Sequence, residues 1–267
     1  MDRGTSSKML RKLVLAVLLV AVAGQVRCAE VPEDAASNGP EGRIIGGSQA
    51  GVIPYQLSLR RNNSHKCGAV IIASYWAITT GHCVEKEAIS GLSLLAGTNN
   101  RLYGGATHRI NQIVVHPKFN PATHDNDVAL LRVSTPFVFN NKVAPIILAF
   151  SGDDASPYTI ATISGWGTVS ANTYEFPTFL QSTNIPIVDQ VKCNQLHRGR
   201  ITENMLCAGP LSGGKDACNG DAGGPLVVKN FLHGLVSWGA GCGEKNLPGV
   251  YTRITAVRHW IASVTGI

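Results

Sequence analysis

The sequence predicts an all-β protein, an antiparallel sandwich or barrel, and three observations carry that prediction. From Ile44 onward, short runs rich in Val, Ile and Leu (residues 69–72, 128–133, 226–228 and 235–238) are cut at intervals of about ten residues by Gly, Pro, Asn or Asp. No repeat of roughly 20–50 residues is apparent among them. The clearest helical pattern comes last, where Val257, Trp260, Ile261 and Val264 fall at i, i+3, i+4 and i+7. That stripe predicts a C-terminal helix packed on the core.

The chain of 267 residues begins with a segment of a different kind. Arg3, Lys8, Arg11 and Lys12 precede an apolar run over residues 13–24, and small residues follow. The run is too short for a bilayer, which needs about 20 apolar residues, so no membrane anchor is expected. A basic start, a short apolar stretch and small residues describe a secretory signal over 1–28, cut after Ala23 or after Cys28. The protein is therefore expected to be secreted and extracellular. Residues 29–43 are polar and rich in Ala, Gly, Pro, Ser and acidic side chains, with little to bury. They read as an exposed propeptide ending at Arg43, just before Ile44-Ile45-Gly46-Gly47.

Seven cysteines stand at 28, 67, 83, 193, 207, 218 and 242. Cleavage after Cys28 removes the odd one and leaves six that can pair in an oxidising compartment. No CxxC pair is present, so a Cys/His metal cluster is not expected. The formal charge of +6 is dispersed, with no Lys/Arg run longer than two beyond residue 43. It gives no reason to expect a nucleic-acid or membrane partner.

Three segments carry chemistry together: Thr79-Thr80-Gly81-His82-Cys83, Asp125-Asn126-Asp127-Val128-Ala129-Leu130, and Gly220-Asp221-Ala222-Gly223-Gly224-Pro225. In this order, and joined by Gly213-Gly214-Lys215-Asp216-Ala217-Cys218 and Ser237-Trp238-Gly239, they resemble the chymotrypsin/trypsin family of secreted serine endopeptidases, on its trypsin-like side. The resemblance runs from about Arg43 to Trp260. It implies two antiparallel β-barrels, roughly 44–147 and 148–267, with a site in the cleft between them.

By that resemblance His82 is the general base and Asp127 the carboxylate that fixes its tautomer. Gly220 and Ala222 supply the oxyanion-binding N–H groups. Asp216 lies at the floor of a pocket for Arg or Lys, with Gly239 and Gly249 as its open walls. Ser237, Trp238 and Gly239 offer backbone to an extended peptide. Cutting after Arg43 by an activating protease frees the Ile44 amino group to pair with Asp221. The disulfides implied are Cys67–Cys83, Cys193–Cys207 and Cys218–Cys242. No cofactor is implied, and a monomer is expected. Residues 88–124 contain no Asp or Glu, so the calcium loop of some family members has no ligands here and no metal is expected.

The departure that matters is Ala222, which stands where the family has its nucleophilic Ser. A methyl group has no lone pair and no proton to give, so no acyl-enzyme forms. Two readings follow. One is a secreted protease homologue without turnover, binding peptides or proteins with exposed Arg or Lys. The other is an active trypsin-like endopeptidase cleaving after Arg or Lys, with Ala222 an engineered or erroneous substitution for its Ser. Milder departures are Ala69-Val70, Thr80-Gly81 and Asn219, and Asn62-Asn63-Ser64 matches a glycosylation triplet.

Overall fold

The computed structural model describes residues 44–168 and 175–267. The expected signal, propeptide, Arg43 and Cys28 lie outside the described residues. Six strands close the first barrel in the order β2-β3-β4-β7-β6-β5. After the short strand β1 (Ser48–Gln49) these are β2 (Gln56–Arg61), β3 (Ser64–Ala73), β4 (Trp76–Thr79), β5 (Leu92–Ala96), β6 (Ala106–Val115) and β7 (Ala129–Val133). Asn62 and Asn63 both adopt positive φ (48° and 65°), and they turn β2 into β3. Two consecutive left-handed residues match the twist of a tight hairpin, and Asn tolerates that conformation.

The second barrel closes in the order β9-β10-β11-β14-β13-β12, with β12 pairing back to β9. After β8 (Ile147–Leu148) its strands are β9 (Ile160–Gly165), β10 (Gln181–Val188), β11 (Met205–Ala208), β12 (Pro225–Val228), β13 (Phe231–Trp238) and β14 (Gly249–Arg253). The β1 strand pairs with β10, so the first described residues lie against this later barrel. Helix α1 (Gln190–Leu196) starts at Asp189, whose carboxylate accepts the Lys192 N–H at 2.8 Å.

The apolar runs are continuous because both strand faces are buried. In β3, Ala69 and Ile71 join the interior of the first barrel, while Val70 and Ile72 join a second cluster. That second cluster also contains Leu130 of β7, Val227 of β12 and Leu232 and Leu235 of β13, so it welds the two barrels. Helix α2 (Ile254–Thr265) closes it with Ile254, Val257 and Ile261, and Trp260 and Val264 pack at its edge. The expected stripe thus meets core residues of both barrels.

Disulfides join Cys67–Cys83, Cys193–Cys207 and Cys218–Cys242, the three pairs that the resemblance implied. In the chain-entropy account, a closed loop of about 15 residues contributes roughly 3 kcal/mol. The first bridge fixes the turn that carries His82, and the third joins the two loops around Asp216.

Candidate active site

His82 sits in a single 3-10 turn (Gly81–Cys83) directly after β4. Asp127 lies just before β7, which pairs with β4, so this one strand pair brings together residues distant in sequence. The His82 backbone N–H donates to Asp127 Oδ1 at 2.9 Å, and Nδ1 lies 2.7 Å from Oδ2. With the carboxylate accepting from Nδ1–H, the neutral ring keeps its lone pair on Nε2. Ser237 Oγ donates to the same Oδ2 at 2.6 Å, and Thr252 Oγ1 donates to the Asp127 carbonyl at 2.6 Å. Asp127 is 0% exposed. Burial works against its charge, but the polar groups of His124, His82 and Ser237 that face it outweigh burial and hold the carboxyl well below the usual range.

A cavity of about 280 Å³ opens beside this pair. It is lined by His82 from the first barrel and by Asp216, Gly220, Ala222, Ser237, Trp238, Gly239 and Gly249 from the second. These are the residues that sequence reasoning grouped for substrate, the oxyanion and the missing hydroxyl. Asp127, Asp221 and Ile44 are not in its lining, although Asp127 is hydrogen-bonded to two lining residues, His82 and Ser237. Asp216 is 3% exposed and accepts N–H bonds from Ala217 (2.8 Å) and Gly243 (3.0 Å). Burial still pushes its carboxyl up to about 6. Gly249 is required by close approach, because a Cβ there would lie 2.5 Å from Asp216 Oδ1.

The loop from Gly220 to Gly224 turns sharply next to His82. Gly220 has φ of 93°, which disfavours a side chain there. The Gly220 and Ala222 N–H groups have no hydrogen-bond partner among the described residues, whereas the Ala222 carbonyl accepts from Gly68 N–H at 2.7 Å. His65 steadies the same loop. Its ring lies between Ser58 Oγ (2.8 Å) and the Gly220 carbonyl (3.0 Å), and burial pulls its pKa down to about 4. A neutral ring in this place donates from Nε2 to the carbonyl and accepts the Ser58 hydroxyl proton at Nδ1. Sequence reasoning missed His65, Thr252, His124 and the Ser237 hydroxyl. Ser237 was legible only for its backbone, while His65, Thr252 and His124 belong to no motif quoted above and reach the site through the folded barrels.

Asp221, 1% exposed, accepts from Cys218 N–H (2.9 Å) and Gly167 N–H (2.7 Å). Burial raises it to about 7, and the Asp216 charge adds to the rise. Ile44 is 1% exposed within the core of the second barrel. The next residue, Ile45, accepts the Asp216 N–H through its carbonyl at 3.3 Å. The first described residues are therefore tied to the pocket loop.

Two closed six-stranded barrels with a His–Asp pair facing a buried carboxylate define the architecture of a chymotrypsin-like serine protease. The family model described as Trypsin matches residues 44–261. The chain is 43% identical over 219 residues to a trypsin of Simulium vittatum, covering 79% of this chain and 88% of that protein. It is 40% identical over 224 residues to a trypsin of Sus scrofa (82% and 94% covered). It is 39% identical over 256 residues to an anionic trypsin of Canis lupus familiaris (94% and 96% covered). The chain belongs to the trypsin family of serine proteases.

Proposed function

We propose that this is an exported trypsin-family protein that captures peptide or protein segments through an exposed Arg or Lys and does not cleave them. The observation that carries this reading is Ala222, set in the tight loop beside His82 while the rest of the cavity lining is kept. Asp216 supports the choice of a cationic side chain, since a buried carboxylate gains most from a guanidinium or ammonium partner. The N–H groups of Gly220 and Ala222 are suited to hold the carbonyl oxygen of a bound peptide, a task that needs no side chain. His82 has a lone pair on Nε2 but no hydroxyl at 222 to deprotonate, so no acyl transfer begins.

The switch proposed for this site is cleavage after Arg43 by another protease. The new Ile44 ammonium would pair with Asp221, whose charge is otherwise opposed by burial. The contact between Ile45 and Asp216 supports a route from that event to the pocket. The leader over 1–28 belongs to the same reading, as does action in the extracellular space as a monomer. Among the described residues, no helix is long and apolar enough to cross a membrane.

A second reading has its own support. The His82–Asp127–Ser237 hydrogen bonds are complete, which suits a working endopeptidase whose nucleophilic serine has been replaced by Ala222. Two measurements separate the readings. Reading the codon for position 222 in independent transcripts gives Ala under the first and Ser under the second. The form beginning at Ile44 is also offered an Arg-ended chromogenic peptide. Binding without release of the chromophore supports capture, and trypsin-like turnover by a chain of verified mass rules it out.

A further inference from the structure

His124 faces the His82–Asp127 pair and helps to hold the Asp127 carboxyl low, but the proposed capture of a peptide gives it no task. It lies in the loop between β6 and β7 with φ of 56°, a conformation that costs an L-residue strain. Its ring meets that of His82 edge to face, with centroids 5.3 Å apart. Its Nδ1 is buried and has no hydrogen-bond partner, although it points to within 3.6 Å of Asp127 Oδ2. A buried imidazole nitrogen left without a partner loses its hydration with no bond in return, which suits it to a further ligand. One ligand atom each from His82, His124 and Asp127 all lie within 4.8 Å of one another.

The geometry points to a binding site for a zinc-class divalent ion on His82, His124 and Asp127. Two imidazole nitrogens and one carboxylate oxygen form a three-ligand set that leaves a fourth tetrahedral position open. Calcium and magnesium prefer all-oxygen surroundings, so the donors select against them. Metal bonds of ~2.1 Å at tetrahedral angles set ligand atoms about 3.4 Å apart, so His82 Nδ1 must part from Asp127 Oδ2, now 2.7 Å away, to admit the ion, whereas His124 Nδ1 at 3.6 Å is already near that spacing. The His82 ring can supply this movement, since its side chain is 29% exposed at the cavity. The imidazoles and the carboxylate donate lone pairs to the metal, and the proton shared by His82 and Asp127 passes to the buffer. A ring held in this way is no longer a base or a free partner for Asp127, so the ion would lock the site. The nearby grouping of Cys67, His82 and Cys83 is no rival, because its two sulfurs are joined in a disulfide.

The test is calorimetric titration of the chain, purified without an affinity tag, with zinc chloride and separately with calcium chloride. The proposal expects one zinc ion per chain and no response to calcium. His124→Asn keeps a residue that tolerates positive φ but removes the imidazole, and zinc should then bind at least about tenfold more weakly. His259→Ala, at an exposed position on α2, should leave binding unchanged. Should His124→Asn fail to fold, NMR of the unsubstituted chain decides instead, since zinc must shift the ring-proton signals of both His82 and His124. Absence of zinc binding, binding that survives His124→Asn, or ring signals that stay in place would each overturn the site.

Discussion

Ala222 differs from serine by one oxygen atom, and its surroundings show what that atom would meet. The His82 ring lines the same cavity with its Nε2 lone pair free, and Asp127 holds the opposite nitrogen at 2.7 Å. Ala222→Ser in the form beginning at Ile44 should therefore raise kcat on an Arg-ended amide by about 10⁶ over the parent, the scale of losing a nucleophile in a serine protease. Adding Asp127→Asn to that variant should remove about 10⁴ of the gain, because the imidazole then has no carboxylate to set its tautomer. No gain in turnover from Ala222→Ser would mean that the missing hydroxyl is not what limits the site. Asp216 permits a test that needs no turnover. Its carboxyl is held up near 6 by burial, and the cationic ligand proposed for the pocket needs it ionised. Affinity for an Arg-ended peptide, followed by calorimetry, should be steady above pH 7 and fall below pH 6, approaching tenfold for each further step of one in pH. A flat profile between pH 5 and 8 would argue against Asp216 as the partner.

The strands and helices show which signals a sequence can carry alone. The run over 69–72 was legible as strand but did not reveal why it lacks alternation; in the fold, one face fills a barrel and the other the seam between barrels. The α2 stripe was legible because its period is local. Helix α1, at seven residues, is too short to show a period, and only Asp189 marks its start. The two-residue strands β1 and β8 exist through their partners and have no pattern of their own. At the site, His82, Asp127, Asp216 and the Gly220–Gly224 loop were legible because short motifs surround them. His65, His124 and Thr252 were not, since each acts across tens of residues or without a motif. Ile261 of α2, fully buried in the cluster that joins the barrels, makes the seam measurable. Ile261→Ala should cost about 2–5 kcal/mol, read as a lower denaturant midpoint with an unchanged slope. A change below about 1 kcal/mol would mean that the helix is not needed to hold the barrels together.

At the scale of the whole molecule, cleavage at Arg43 should change how stability depends on pH, and the sign can be worked out. In the uncut chain Asp221 is buried without a cation among the described residues, and its carboxyl keeps its proton up to about 7. Unfolded, the same group ionises near ~3.9. Between these values the native state binds more protons than the unfolded state, so stability falls as pH rises from about 4 to about 7. The difference between the two ionisation points corresponds to roughly 4 kcal/mol, an upper figure for a carboxyl beside another buried one. Once the chain is cut, the Ile44 ammonium favours the ionised carboxylate, and this fall should largely vanish. Asp127, lowered, contributes alike to both forms and cancels, whereas Asp216, also raised, adds its charge to the rise at Asp221 and is part of what the comparison reads. Denaturant midpoints of the two forms at pH 5 and pH 8 provide the measurement. The uncut form should lose roughly 2–3 kcal/mol more than the cut form across that interval, because part of the fall already lies below pH 5. Parallel profiles would mean that the freed amino group never reaches Asp221, and the switch from cleavage to pocket would have to be abandoned.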